Sequence, residues 1–281
     1  MSSVPRDFVF NRFEARQGMT WLAQAYAMFS HQRLLWVVLL LAYYALLLAL
    51  RSLPYLGPYA MTVLKPVFSV GLLAAAWTQE RGGKPTLNQL FAGFRANIWS
   101  LLPIGVFYVA GITAAVFASS LVDGGKLLDL MSNAGSLSEE QITAALAEGA
   151  LEAGMLFSAV LAVPVLLATW WAPALVVFQN ASAGAALVTS LRAAIANWRP
   201  IGVYALLVFF YGGVVPTFAM LVIAAVVPEA AARPLALVVM LPYMFLFIAT
   251  LHISDYVSYR DVFHPGEQQA SPASPDSDAA A

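Results

Sequence analysis

Lys65 is the side chain whose type and position most strongly suggest chemistry. It lies inside an otherwise apolar stretch, residues 53–77, and an ionisable group there often marks a proton or ion pathway, because placing charge in lipid costs free energy. The alternative is that its ammonium reaches water: in a helix beginning at Tyr59, Lys65 would lie six residues, or about 9 Å, from the helix end. We favour this interpretation, since no acidic residue lies inside any predicted span to pair with Lys65.

Four basic residues next to apolar stretches could bind the phosphate groups of lipids. They are Arg95, Arg192, Lys84 and Arg199. A basic residue near the surface of an anionic membrane gains about 1 kcal/mol of attraction to its lipids. The competing interpretation is that these residues only fix the topology of the chain, and the sequence leaves both open.

His252 and Asp255 are three residues apart, a spacing that places both on one face of a helix. Such a pair could orient an imidazole or supply two ligands to a metal ion. Two ligands do not complete a metal site, and the other histidines, His31 and His264, lie in different segments. We therefore predict an interfacial polar pair and no bound metal.

The motifs of common enzyme classes are absent from the sequence. It contains no phosphate-binding glycine loop, no His-Glu-x-x-His and no Gly-x-Ser-x-Gly. The lack of cysteine excludes disulfides, thiolate metal sites and cysteine nucleophiles. We expect no catalytic residue, no cofactor and no enzymatic activity.

The composition predicts that these residues are carried by membrane helices. Hydrophobic residues make up 61% of the chain and charged residues 10%, with a mean hydropathy of +0.77, whereas soluble globular chains carry roughly 25% charged residues. The net charge of −1 provides no basic field to attract nucleic acid. The expected partners are membrane lipids, with a membrane-protein partner or a second copy of the chain as further candidates.

Six stretches are apolar enough to cross a bilayer, which takes about 20 residues. They are residues 34–50, 53–77, 98–122, 153–178, 201–227 and 234–253. The predicted fold is therefore an all-α polytopic membrane bundle, with residues 18–263 forming a six-helix transmembrane domain. Residues 1–17 would be a cytoplasmic segment, residues 123–152 an outer loop, and the Pro- and Ser-rich residues 264–281 a disordered cytoplasmic tail.

Basic residues predict the orientation, because cytoplasmic loops retain Lys and Arg. If the N-terminus is inside, the inner segments contain ten basic residues and the outer loops three. The ten are Arg6, Arg12, Arg16, Arg33, Arg81, Lys84, Arg95, Arg192, Arg199 and Arg260, and the three are Arg51, Lys126 and Arg233. We predict that both termini face the cytoplasm.

Short amphipathic segments precede the first, third and fifth spans and predict helices lying in the inner membrane surface. Their apolar faces are Met19, Leu22, Tyr26 and Phe29; Leu87, Leu90, Phe91, Phe94 and Ile98; and Leu187, Leu191, Ile195 and Trp198. The second segment starts with a capping-box pattern, Thr86 with Gln89. Ser138 with Gln141 repeats that pattern and predicts a short helix in the outer loop.

An internal repeat relates two of these segments. Residues 95–106 and 192–203 are identical at seven of twelve positions and lie 97 residues apart. Both copies would run from the inner to the outer side, which makes the repeat parallel. Prolines in the second, fourth and sixth spans, Pro66, Pro164 and Pro242, suggest three units of an interfacial helix followed by a helical hairpin.

Several short motifs carry a resemblance to a known family. They are Leu56-Gly57-Pro58, Lys65-Pro66-Val67-Phe68, Leu90-Phe91-Ala92-Gly93-Phe94-Arg95 and Trp171-Ala172-Pro173. Over roughly residues 18–260 the chain resembles a family of uncharacterised six-span proteobacterial inner-membrane proteins, similar to the membrane domain of some bacterial glycerophosphodiester phosphodiesterases. The resemblance implies a six-helix fold in a bacterial inner membrane. It transfers no catalytic residue, since the soluble phosphodiesterase domain and its metal-binding carboxylates are absent.

Two functions are therefore weighed. One is a non-catalytic protein that organises lipids or partner proteins, and the alternative is a small-solute transporter or channel built from repeated hairpin units. The apolar spans favour the first, because transporter repeats often carry polar groups at the bilayer midplane. Prolines inside the spans favour the second, because a kink frees backbone carbonyls that could coordinate a solute.

Overall fold

The structure, a computed structural model, describes residues 8–54, 57–133, 138, 140, 144 and 149–264. These residues form helices joined by turns and short loops, with no strand among them. The chain divides into two compact units. The central unit is Leu34–Ala194, and the terminal unit combines Met1–Arg33 with Ile195–Ala281.

The helices are numbered here in chain order. They are α1 (Gln17–His31), α2 (Arg33–Arg51), α3 (Gly57–Glu80), a 3₁₀ helix (Leu87–Phe91), α4 (Ala92–Arg95), α5 (Ile98–Asp123), α6 (Lys126–Asn133), α7 (Gly149–Trp170), α8 (Ala172–Gln179), α9 (Ala183–Ala196), α10 (Trp198–Phe209), a π-helical turn (Phe210–Val214), α11 (Val215–Val226) and α12 (Glu229–Phe263).

Among the described residues, six helical stretches are long and apolar enough to cross a membrane, which confirms the predicted number. They are Arg33–Arg51, Tyr59–Glu80, Ile98–Asp123, Leu151–Gln179, Trp198–Val226 and Glu229–Phe263. The fourth combines α7 with α8, and the fifth combines α10, the π turn and α11.

The predicted boundaries of the spans differ from the structure by up to ten residues, most clearly in the second and sixth spans. The second span was expected from residue 53, but Leu53 lies in the turn after α2, because the following Pro54 disfavours a helical conformation there. The sixth helix continues ten residues past the predicted end, Ile253. Polar side chains do not stop it, because Ser254 and Ser258 are buried against protein.

Helix α3 is the centre of the central unit. Of the six membrane-length helices it has the largest buried share, 44%. Trp36 of α2 donates an indole hydrogen bond of 2.6 Å to Gln79 of α3, and the Tyr43 ring meets Phe68 edge-on at 6.4 Å. The first pair is a directional contact, so it helps to fix the register of this hairpin.

Glycines allow other segments to approach α3 closely. A Cβ atom on Gly93 of α4 would lie 2.0 Å from the Val67 carbonyl oxygen, and one on Gly105 of α5 would lie 2.1 Å from that of Val63. A Cβ on Gly71 of α3 would meet the backbone of Leu90 at 2.5 Å. Small residues are therefore required where these backbones cross, as is common between membrane helices.

The three short segments before the odd spans pack through small residues, and their large apolar residues are mostly exposed. In α9 the buried residues include Ala186, Ser190 and Ala193, whereas Ile195 is 60% exposed. The Ser190 hydroxyl accepts the Trp171 N–H at 3.1 Å and donates to the Leu167 carbonyl at 2.7 Å. It thereby satisfies backbone groups at the break between α7 and α8.

Only some residues of the predicted apolar faces are buried in the structure. In α1, Phe29 is buried as expected, but Met19 and Tyr26 are exposed and the buried stripe runs through Gly18, Trp21 and Ala25. This stripe combines two small residues with the large rings of Trp21 and Phe29, and the exposed apolar residues of α1 can remain in lipid. The capping box is confirmed: the Thr86 N–H donates to Gln89 Oε1 at 2.7 Å.

The internal repeat stays a prediction. Each copy contains a break between two helices, at Asn97 before α5 and at Asn197 before α10. In the sequence alignment, however, Asn197 corresponds to Ser100, so the second break falls three positions later than the first. The predicted outer-loop helix at Ser138 and Gln141 and the predicted tail lie largely outside the described residues.

The glycine contacts predict a position-specific loss of stability. Gly93→Ala should lower the free energy of unfolding by about 1–3 kcal/mol, because the added methyl group overlaps the Val67 carbonyl. Gly184→Ala in α9 is the matched control, because a Cβ there meets nothing within 4 Å. Denaturant titration of both variants in detergent micelles, followed by circular dichroism, measures the difference. Equal stability of the two variants would contradict the close approach.

Candidate functional site

The four predicted headgroup-binding residues are all exposed. Arg95 donates a hydrogen bond to Asn88 on the preceding 3₁₀ helix, which holds its guanidinium beside that segment. The Arg199 guanidinium lies 5.5 Å from the centre of the Trp198 ring. Lys84 and Arg192 make no ion pair or hydrogen bond with any residue that the structure describes. Each of the four charges is therefore open to solvent or to lipid.

Large exposed apolar residues accompany these basic residues along the chain. Phe94 precedes Arg95 and is 38% exposed, while Trp99 at the start of α5 is 80% exposed. Trp198, which precedes Arg199, is 66% exposed. A cation next to an exposed aromatic ring is typical of the membrane–water interface, where the ring enters the headgroup layer and the charge stays near phosphate.

Lys84 and Arg95 lie at different places along α3. The chain folds back along α3 after its end, with the Gly83 N–H bonded to the Thr78 carbonyl at 2.9 Å. Gly93, close to Arg95, packs on Val67 instead. Val67 and Thr78 are eleven residues apart, so Lys84 and Arg95 lie beside stretches of α3 separated by roughly 16 Å.

Lys65 is exposed on α3, with its Nζ atom 5.7 Å from the centre of the Tyr108 ring. This distance falls within the range of a cation–π contact. Helix α3 begins at Gly57, eight residues before Lys65, so the lysine lies about 12 Å from the helix start and not the expected 9 Å. Its role as a functional or snorkelling residue stays a prediction.

His252 and Asp255 lie on one face of α12, with His252 Nδ1 3.9 Å from Asp255 Oδ2. The two side chains are 17% and 37% exposed. Among the residues that the structure describes, no group of three or more His, Asp and Glu side chains could hold a metal ion. The arrangement is that of a partly exposed polar pair.

A buried polar network in the terminal unit was not predicted. Asn197, which is fully buried, accepts the Phe13 N–H at 2.9 Å through its side-chain oxygen and donates to the Asn11 carbonyl at 2.8 Å. The Asn11 N–H donates to the Val262 carbonyl at 2.8 Å. The segment before α1 is therefore tied by its backbone to the start of α10 and the end of α12.

A charged pair continues this network. Asp261, only 1% exposed, accepts hydrogen bonds from Arg260 at 2.6 Å and from Gln17 of α1 at 2.7 Å. Arg260 also donates to Gln24 at 2.7 Å. Because both carboxylate oxygens accept hydrogen bonds, the network stabilises its charges in place and anchors α1 to α12.

Only a weak signal in the sequence could have revealed this network. The polar residues Ser254, Ser258 and Asp261 follow the last apolar stretch at helical spacing, which indicates that α12 continues with one polar side. The partners of Asp261, Asn11 and Gln17, lie more than 240 residues earlier in the chain. Nothing in the local pattern identifies partners at that separation.

One known protein provides a comparison along most of the chain. A protein named "Probable inner membrane protein" from Burkholderia thailandensis is 28% identical to this chain over 255 residues, which is 89% of this chain and 92% of that protein. No family model matches the sequence, and no solved structure matches it. With the six membrane-length helices of the described residues, this relative supports a multi-pass location in the inner membrane.

The Asn197 contacts predict how the N-terminal segment is held. Asn197→Ala should speed trypsin cleavage after Arg12 and Arg16 by about tenfold or more, because two buried hydrogen bonds of about 1 kcal/mol each are lost. Asn97→Ala is the control, since Asn97 is exposed at the equivalent start of α5. Mass spectrometry of timed digests gives the rates. Equal rates for the two variants would show that Asn197 does not hold the segment.

Proposed function

We propose that this inner-membrane protein is non-catalytic and binds anionic lipid headgroups through Arg95, Arg192, Lys84 and Arg199. The observation that carries the proposal is the exposure of all four charges close to exposed apolar side chains. Bound lipids, or a membrane protein that binds with them, would be organised around these positions. The resemblance to the membrane domain of glycerophosphodiester phosphodiesterases is part of this proposal, because it too implies a membrane domain without catalytic residues.

The chemistry of the sites suits a phosphodiester. A guanidinium presents several N–H donors in a planar fork that matches phosphate oxygens, and Arg95 is held in one direction by Asn88. Phe94 directly precedes Arg95 and Trp99 lies four residues after it. Their exposed rings can lie against acyl chains. The separation of Lys84 from Arg95 along α3 favours several single-headgroup sites over one shared pocket.

The orientation is a further part of the proposal. Lipid binding at these residues on the cytoplasmic leaflet requires both termini to face the cytoplasm, as the ten-to-three distribution of basic residues predicts. That leaflet carries the negative surface potential that attracts basic residues.

Cysteine accessibility tests this orientation in a chain that has no native cysteine. In intact cells, Gly149→Cys should react with an impermeant maleimide, whereas Gly184→Cys should react only after the membrane is opened. The two positions are matched, because a Cβ at either one meets nothing within 4 Å. Labelling of Gly184→Cys in sealed cells would contradict the proposed orientation.

Lipid binding itself predicts a charge-specific loss. Replacing both Arg95 and Arg192 by Gln should weaken the binding of anionic lipid at each of these two positions by about fivefold, because each position loses one charge that contributes about 1 kcal/mol. The control replaces Arg51 and Arg233 by Gln, which removes the same charge from the predicted outer side. Native mass spectrometry of lipids retained by each purified variant gives the comparison. Equal lipid retention by the two variants would contradict the proposal.

A transporter or channel is the second candidate. The observation in its favour is that Pro66, Pro103, Pro164, Pro216 and Pro242 all lie inside helices that are long enough to cross the membrane. Each proline lacks the N–H that would bond the carbonyl four residues earlier, and a freed carbonyl can coordinate a solute. Unchanged lipid retention in the arginine double variant would favour a transporter or channel over lipid binding.

A further inference from the structure

The helical hairpin of the terminal unit consists of two halves with different packing. From residue 249 to residue 263 most side chains of α12 are buried, and they include the network around Asp261. From residue 205 to residue 248, by contrast, Ala236 is the one buried residue. Residues 249–263 are therefore held by contacts with other parts of the protein, whereas residues 205–248 have few such contacts.

A weak point in the fifth span lies within the exposed stretch, at residues 210–214. At the π turn, the Val215 N–H bonds to the carbonyl of Phe210, five residues back. The turn contains Gly212 and Gly213, and Pro216 follows within one turn of helix. Glycine and proline both weaken a helix interior, and π turns interrupt its regular ladder of hydrogen bonds.

The sixth span has its own weak point at the same level. Pro242 of α12 lacks the N–H that would bond to the Val238 carbonyl. The next residue, Tyr243, donates its hydroxyl to the Tyr211 carbonyl in the π turn, and the Phe247 ring lies against Gly212. These contacts place the interruption of one helix beside the interruption of the other.

We propose that the outer half of this hairpin, residues 215–241, is an arm that bends against the inner half at a paired hinge. The hinge consists of the π turn Phe210–Val214 on one helix and Pro242 on the other. Two adjacent helices can bend together only if both have a flexible point at one level, and the Tyr243–Tyr211 contact shows that these points meet. The hydroxyl of Tyr243 joins the two helices at the hinge itself, through its bond to the Tyr211 carbonyl.

This inference is independent of lipid binding, because none of the four proposed headgroup residues lies in the hinge or the arm. It also concerns a motion and not a static surface. The hinge would change the direction of α11 and of the first part of α12 while the network around Asp261 stays intact. A stiffening substitution should therefore affect distances to the arm and leave distances within the inner half unchanged.

Distance measurements between spin labels test the hinge in the full chain. The arm pair is A23C with A225C, and the reference pair is A23C with A205C; all three residues are exposed and lie in the terminal unit. In nanodiscs, double electron–electron resonance should give a distance distribution for the arm pair at least about twofold broader than that for the reference pair. Equal widths in the two pairs would overturn the proposal.

Variants that stiffen the hinge provide a second test. Gly213→Ala is tolerated by the packing, because a Cβ there meets only Phe209 of its own helix at 3.9 Å, and alanine is the better helix former. Combined with Pro242→Ala, it should narrow the arm distribution by about twofold. Gly202→Ala is the control: it makes the same change in α10, meets nothing within 4 Å and should leave the width unchanged.

Each result decides the question. If the Pro242→Ala variant broadens the reference pair, which would signal misfolding, Gly213→Ala alone carries the test, and Tyr243→Phe should broaden the arm distribution by releasing the Tyr211 carbonyl. An arm width that none of these hinge variants changes, with the reference pair intact, would overturn the hinge.

Discussion

Helices in lipid gain no hydrophobic free energy by associating, because lipid chains are as apolar as the side chains they would replace. Association must come from close packing and from polar contacts that have no water to compete with them. In the central unit this constraint explains the crossings at Gly93 and Gly105, where backbone lies against the backbone of α3. It also explains the Trp36–Gln79 hydrogen bond, which adds direction to a hairpin that packing alone would leave free to slide.

The terminal unit meets the same constraint in another way. Its spans carry few buried residues away from the end near Asp261, so its cohesion comes from that end, where apolar residues such as Trp21 and Val257 are buried. The polar network of Asn197, Arg260 and Asp261 adds contacts with the N-terminal segment. Such a network tolerates few changes, since removing one partner leaves a buried polar group unsatisfied. The consequence is that the end near Asp261 is held by protein contacts, whereas the rest of the hairpin depends on its surroundings in the bilayer.

The sequence predicted features that depend on the solvent and on local chemistry. Six apolar stretches became six membrane-length helices, and Thr86 with Gln89 formed the expected cap. The sequence did not predict which side of each helix packs against the rest of the protein. In a soluble protein the large apolar side is the buried one, but here Ile195 and Met19 are exposed while the small residues beside them are buried, because lipid accepts a large apolar side chain as readily as protein does.

The sequence suggests candidate headgroup residues one by one but not their arrangement, and their role stays a prediction. Charge and sequence position were sufficient to select Arg95 and Lys84, yet their separation along α3 depends on how the chain folds back after Glu80, and that path is set by the contact of Gly93 with Val67. The network around Asp261 was missed because its partners are distant in the chain.

If Arg95 binds a headgroup as proposed, α4 couples that binding to packing in the central unit. This helix is four residues long, so the residue that seats it on α3, Gly93, and the residue that would meet a phosphate, Arg95, are separated by less than one turn. Any shift of α4 along α3 moves the guanidinium with it. By the reciprocity of linkage, a lipid that binds Arg95 in this position must also stabilise the seat of α4, and hence the start of α5. Lipid and fold therefore reinforce one another at a segment too short to be a stable helix by itself.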